Sequence, residues 1–223
     1  MTIDITNFRH KMIEQQIRPW RVTDLQVLET LNIIKRENFA TEAQLPLVFS
    51  DIFLPILDTA EVMLEPKIEA RVLQALKPNG HDLVLEIGTG SGYMAALLAY
   101  FAKSVTSIER LPELADFAIT NLNKCRIPNV KVEVGDGSEG WKVNSNSAYD
   151  IICVSGGLKE VPTSLKEQLT IGGRLLAFVG EAPLMSAVLI TRLSHDYFQS
   201  QSVFETLVPR LVSVESQKEV FEF

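Results

Sequence analysis

The sequence predicts an α/β fold: a mostly parallel, seven-stranded sheet with helices on both faces, preceded by an N-terminal helical extension. Three observations predict it. From residue 80 onward, short apolar runs alternate with helical stretches. The first of those runs ends in a glycine-rich turn that opens a helix. Before residue 43 the apolar periodicity is helical, and from 43 to 65 it fails.

Taken in order, residues 7–37 read as two helices. Phe8, Met12 and Ile13 make the apolar stripe of the first, and Leu25, Leu28, Leu31 and Ile34 that of the second. Pro19 interrupts the chain between them, and Thr23 with Gln26 three places on has the form of a capping box. Pro46 and Pro55 then punctuate an irregular, apolar-rich segment. A helix is expected over 66–76, with proline tolerated in its first turn and Lys77-Pro78-Asn79-Gly80 stopping it. Strands are expected over 83–87, 105–108, 130–134, 151–154 and 174–179, and helices over 93–103 and 112–125. Near-continuous apolar strands separated by helices imply a parallel sheet buried on both faces. Residues 187–193 and 202–212 read as two late strands with no helix between them, so the sheet should finish with an antiparallel pair. The expected organisation is one structural unit: residues 1–65 packed on a core spanning 66–223.

Composition narrows the function. The chain has 223 residues, 46% of them hydrophobic and 22% charged, which suits one globular domain. No apolar run reaches the ~18 residues of a membrane span, and residues 1–10 lack the apolar stretch of a signal peptide. A cytoplasmic protein without a membrane partner is expected. A net charge of −7 argues against a broad nucleic-acid footprint. Arg18, Arg21, Lys35 and Arg36 are near one another in sequence, and a solvated helix face accounts for them better than a phosphate track. Cys125 and Cys153 form no metal or redox pair and read as space-filling residues. His10, His81 and His195 lie in separate segments and make no metal-ligand set. Trp20 and Trp141 read as packing residues.

The sharpest local signal is Glu86-Ile87-Gly88-Thr89-Gly90-Ser91-Gly92, leaving a strand and entering a helix. Glycines permit close ligand approach, and the helix start offers free N–H groups. A dinucleotide fingerprint needs G-x-G-x-x-G to seat a pyrophosphate. Here the order is G-x-G-x-G, and Glu86 two residues ahead would repel a pyrophosphate while suiting a ligand that carries an ammonium and no phosphate. S-adenosylmethionine is such a ligand, and S-adenosylhomocysteine would be its product. Glu109 ends the second strand about 20 residues on, where an acid can accept ribose hydroxyls. Asp136, between Gly135 and Gly137, follows the third strand and can take the adenine amino group. Together these residues indicate a Rossmann-like S-adenosylmethionine-dependent methyltransferase fold. Met63, Arg110 and Gly137 complete the expected cofactor-binding set.

The sequence also resembles the protein-L-isoaspartate O-methyltransferases from Met12 to about Gly180. Glu86 through Tyr93 is close to that family's cofactor loop. Glu109-Arg110 followed by Pro112-Glu113-Leu114-Ala115 is similar to its second-strand acid and next helix. Val134-Gly135-Asp136-Gly137 with Gly140-Trp141 resembles its adenine-side segment, and the stretch from Leu165 to Leu175 its crossover into the fifth strand. Gln15-Gln16-Ile17-Arg18-Pro19 resembles its opening helix. The resemblance implies methylation of isoaspartyl carboxyl groups in damaged proteins.

One departure matters. The family carries a threonine–isoleucine–serine–x–proline segment whose serine is regarded as the active-site residue. Aligned on Pro66, this chain reads Val62-Met63-Leu64-Glu65-Pro66, so Leu64 stands at the serine's place and no catalytic residue carries over. Ser155, after the fourth strand, is a candidate for the missing hydroxyl. Gly156-Gly157 beside it either leave room for a substrate backbone or relax a turn. Three readings stay open: isoaspartyl methylation of a protein or peptide, methylation of another acceptor including a small molecule, and cofactor binding without catalysis.

Overall fold

The computed structural model describes residues 4–142 and 148–212; the end of the expected core, 213–223, lies outside them. The N-terminal extension starts as a regular helix and then loosens. Helix α1 (Ile5–Lys11) is capped by the Asp4 carboxylate, which accepts the Asn7 N–H at 3.1 Å. It widens into a π-helical turn, Met12–Ile17, then tightens into a 3₁₀ turn, Arg18–Trp20, that ends on Arg21 at a φ of 63°. Pro19 has no N–H to donate, so a regular ladder cannot continue past it. Met12, Ile13 and Ile17 are buried, whereas Phe8, expected in the stripe, is 49% exposed.

Helix α2 (Leu25–Ile33) is capped one residue later than Thr23: the Asp24 carboxylate accepts the N–H groups of Gln26 and Val27 at 2.9 and 3.4 Å. Leu25 then falls in the first turn and is 70% exposed, and Val27, Leu28 and Leu31 carry the buried stripe. The capping box occurs further on, between Thr41 and Gln44. In the segment where periodicity fails, β1 (Leu54–Pro55) and β2 (Val62–Met63) form a small antiparallel hairpin. Helix α3 (Pro66–Leu76) has the expected bounds, and Lys77 closes it in the left-handed region.

The sheet follows: β3 (Leu83–Ile87), α4 (Tyr93–Phe101), β4 (Ser104–Glu109), α5 (Pro112–Lys124), β5 (Val130–Val134), β6 (Tyr149–Leu158), α6 (Thr163–Glu167), β7 (Leu169–Glu181), β8 (Leu184–Arg192) and β9 (Phe198–Glu205). Strand order is β5-β4-β3-β6-β7-β8-β9. The pairs from β5 to β7 are parallel, and β8 runs antiparallel to both neighbours. Successive residues along a strand face opposite sides. Val84, Val105, Ile151, Cys153 and Phe178 accordingly join one buried cluster with α3, α4, α5 and the N-terminal residues Ile17, Leu28 and Phe39. Leu85, Ile108, Ile152, Val154 and Leu175 face the other side, under α6, Trp141 and Phe198.

Strand β9 ends earlier than the sequence suggests. Pro209 cannot donate to a ladder, and residues 208–211 leave β8 to run along the far end of β6. There Gly157 donates its N–H to the Pro209 carbonyl at 2.8 Å, and Leu211 donates to the Gly157 carbonyl at 2.9 Å. Among the described residues, no helix is long and apolar enough to cross a membrane.

Candidate active site

Strand order reverses at β3: the chain moves outward through β4 and β5, then returns to place β6 on β3's other side. Such a switch point opens a crevice at the carboxyl ends of the strands. The glycine loop lies there because β3 hands the chain to α4 through residues that only glycine tolerates well. Gly88 has a φ of 91° and Gly90 a φ of 54°, and a Cβ on Gly90 would come 2.9 Å from Ile56 Cδ1 of the hairpin turn.

Two adjoining cavities lie in the crevice. The outer one is lined by Ile87, Gly88, Gly90, Ile108, Glu109, Arg110, Gly135, Asp136 and Gly137 along the strand ends, and opposite them by Glu61, Val62, Leu64 and residues 209–212. The inner one lies beneath the hairpin, among Ile56, Met63, Leu64, Glu69, Met94 and the loop residues Gly88, Thr89, Gly90 and Ser91. Ten of the twelve residues named from sequence thus border a cavity. Glu86 and Gly92 border neither: Gly92 makes the left-handed turn into α4 against Ala118.

Glu86 lies under the loop, fully buried. Ser107 Oγ donates to its Oε2 at 2.5 Å, Thr89 Oγ1 and Ser107 Oγ share a bond of 2.5 Å, and Ser155 Oγ donates to Oε1 at 3.3 Å. Burial pushes its carboxyl up to about 8, with the Ser107 and Ser155 hydrogen bonds opposing and Glu109 and Glu69 reinforcing the rise. Glu109 ties the loop to β4: Oε2 accepts the Gly90 N–H at 2.8 Å and Oε1 the Leu111 N–H at 3.0 Å. Each oxygen keeps a second lone pair. Asp136 Oδ1 accepts the Ser138 N–H at 2.9 Å, which sets the turn after β5.

The opposite wall is held from far away in sequence. Arg36, grouped above with surface charges, is 1% exposed. Its Nε donates to the Val48 carbonyl at 3.0 Å, its Nη2 donates to the Leu64 carbonyl at 2.7 Å, and its Nη1 pairs with Glu69 on α3. Its guanidinium also stands 5.2 Å from the Tyr93 ring centre. A buried arginine needs this many acceptors to offset its lost hydration. Burial pushes Glu69 up to about 7, against the pull of Arg36. Across the mouth, Arg110, just after β4, reaches Glu61 at 3.6 Å.

A family model described as protein-L-isoaspartate(D-aspartate) O-methyltransferase (PCMT) matches residues 7–218. The chain belongs to this family. It is 42% identical over 188 residues to the protein-L-isoaspartate O-methyltransferase of Syntrophus aciditrophicus, covering 84% of this chain and 85% of that one. It is 40% identical over 200 residues to protein-L-isoaspartate O-methyltransferase 2 of Marinobacter nauticus, covering 89% and 90%. A solved protein-L-isoaspartate O-methyltransferase superposes with a TM-score of 0.79 at 26% identity, over 96% of this chain and 71% of that one. The fold is also that of a putative protein-L-isoaspartate O-methyltransferase from Plasmodium falciparum crystallised with S-adenosyl-L-homocysteine, at a TM-score of 0.78 and 19% identity, over 92% and 98% of the two chains.

Within this family fold, sequence reasoning passed over Glu69, Arg36 and the segment 208–212. Glu69 had a readable signal: it stands four and seven places before Leu73 and Leu76, on the buried stripe of α3. Arg36 had none, because its acceptors, the Val48 and Leu64 carbonyls and the Glu69 carboxylate, lie 12, 28 and 33 residues away. The room at Gly156 is filled by the chain itself, since a Cβ there would lie 3.1 Å from Leu211.

Proposed function

We propose that this chain uses S-adenosylmethionine to methylate the free carboxylate of isoaspartyl residues in proteins or peptides. One observation carries the reading: two adjoining cavities that share five lining residues have Glu109 and Asp136 in the outer one and Glu69 as the charged side chain of the inner one. A ligand with sugar hydroxyls and an amino-purine at one end and an ammonium at the other fits that donor set, and a pyrophosphate does not. In this reading Glu109 accepts the ribose hydroxyls, Asp136 the adenine amino group and Glu69 the ammonium. Ile87, Gly88, Thr89, Gly90, Ser91, Met63, Arg110 and Gly137 shape the sides. Glu86 supports the loop from beneath, and Gly92 sets the start of α4.

When bound, S-adenosylmethionine supplies a methyl carbon: a carboxylate lone pair forms the new O–C bond while the C–S bond breaks and its electrons return to sulfur. No proton leaves the nucleophile, so the chain needs no general base. Its task is positioning and exclusion of water, because opposite charges cancel most readily in a dry site. Val62, Leu64 and Leu211 give the crevice an apolar wall for that purpose.

The test is calorimetric titration with S-adenosylhomocysteine, followed by methyl transfer from labelled cofactor to an isoaspartyl peptide and to its aspartyl twin. Binding with transfer to the first alone is expected. Saturable cofactor binding without transfer to the isoaspartyl peptide overturns the acceptor. Leu64 favours a second reading, an acceptor other than an isoaspartyl residue, because it presents no hydrogen-bond donor. A screen of small carboxylates, phenols and peptides separates the two.

A further inference from the structure

Five residues border both parts of the crevice: Val62, Leu64, Gly88, Gly90 and Ser155. They stand between the cavity that carries Glu109 and the cavity that carries Glu69, and are called the neck below. Any ligand that reaches both carboxylates must thread this neck. In S-adenosylmethionine the sulfonium lies, by its covalent structure, between the ribose and the amino-acid tail. The methyl group is therefore presented at the neck, and an acceptor must come there to receive it.

Four of the five neck residues have no polar side-chain atom. We infer that Ser155 is the acceptor-binding residue, its hydroxyl donating to the carboxylate oxygen that is not methylated. The inference rests on the carboxyl-methylation reading given above. A carboxylate entering a neck walled by Val62 and Leu64 loses water on both oxygens. One oxygen attacks; the other needs a donor, or its desolvation opposes binding. Ser155 is in place to serve. It sits where β6 passes the glycine loop, its Cβ 3.6 Å from the position a Cβ on Gly88 would take.

Glu86 holds this hydroxyl from behind, through the 3.3 Å bond between Ser155 Oγ and Oε1. Burial raises this carboxyl to about 8, which weakens it as a competing acceptor for the serine proton. At 3.3 Å the bond from Ser155 Oγ to Glu86 Oε1 is long, and the serine proton can rotate from it to the incoming carboxylate oxygen. Leu64 stands on the facing wall, so a hydroxyl placed there would reach the same neck from the other side.

The test compares wild type, Ser155→Ala, Ser155→Thr and Leu64→Ser/Ser155→Ala. Each is measured for S-adenosylhomocysteine affinity by calorimetry, for isoaspartyl-peptide affinity of the S-adenosylhomocysteine-loaded protein by fluorescence anisotropy, and for kcat and KM. Ser155→Ala should keep S-adenosylhomocysteine affinity within about twofold while peptide Kd and kcat/KM each worsen about tenfold. Ser155→Thr should retain most of both, and the Leu64→Ser change should recover part of the loss. Unchanged peptide affinity and turnover in Ser155→Ala overturn the assignment alone, as does a parallel fall in S-adenosylhomocysteine affinity, which would mark a structural role. Wild-type protein that binds S-adenosylhomocysteine but neither binds nor methylates the peptide overturns the isoaspartyl reading, and this assignment with it.

Discussion

The two walls of the crevice are built in different ways. The strand-end wall takes each polar group from the end of a strand or the turn after it: the glycine loop after β3, Glu109 at the end of β4, Asp136 after β5. Its members are fixed by the sheet, and their order in space is their order in sequence. The facing wall is assembled from the β1–β2 hairpin and residues 209–212, more than 140 positions apart, and is pinned by Arg36 through the Val48 and Leu64 carbonyls. The first wall carries the carboxylates; the second is mainly apolar and, in the proposed reading, faces the acceptor. In the proposed reading, a substitution on the facing wall such as at Leu64 can alter the acceptor without touching the carboxylates of the strand-end wall.

The comparison makes predictions of graded size. The largest concerns the pin. Arg36→Met strips the Leu64 and Val48 carbonyls of a donor and leaves Glu69 buried without its partner, which should cost about 3–5 kcal/mol in denaturant unfolding. The cost should shrink below pH 7, where Glu69 sheds its charge. A loss under about 1 kcal/mol at pH 8 would show that the facing wall holds itself together. Next, Glu109→Gln should weaken S-adenosylhomocysteine about a hundredfold by calorimetry, because charge-assisted hydrogen bonds to the ligand and to the Gly90 N–H become neutral ones. Unaltered affinity would remove the strand-end wall from cofactor binding.

Third, stability should fall as pH rises. Glu86 and Glu69 are raised from 4.5 to about 8 and about 7, so the folded state holds more protons than the unfolded chain across that window. Their contribution is fully present below pH 4.5 and is lost as pH passes 7 and then 8. Each group adds a slope of at most about 1.4 kcal/mol per pH unit. Glu86→Gln should flatten the curve between pH 7 and 8, where Glu69 has already titrated; denaturant midpoints at stepped pH would reveal a persisting slope if Glu86 is ionised in the fold. The smallest effect belongs to Glu61→Ala. Its pair with Arg110 spans 3.6 Å with both side chains partly solvated, so stability should change by less than about 1 kcal/mol.

Much of this was legible in advance where the determinants are local. Strand β3, helix α3 and strand β5 have the bounds their apolar runs and end signals suggest. The places of Glu109 and Asp136 beside the cavity were readable because a parallel sheet sends every strand end to one edge. Helix α2 was misjudged by one residue because Thr23 and Asp24 can both cap, and choosing between them depends on Gln74, whose side-chain oxygen accepts the Thr23 and Asp24 N–H groups. Arg36 was misread as a surface charge. Nothing in its neighbours in sequence tells of carbonyls 12 and 28 residues away.

What the amino-acid order determined by itself is the parallel sheet, the ligand loop and the acids at successive strand ends, since these follow from periodicity and from the few residue types that tolerate each backbone conformation. Only the tertiary structure decided which acid reaches the cavity and which lies beneath it. Glu69 borders the cavity and Glu86 does not, although the sequence placed Glu86 beside the glycine loop. The reason is that a side chain's access to solvent depends on what packs over it, and the cover at this site comes from Arg36, the hairpin and the last described residues, all remote in the chain.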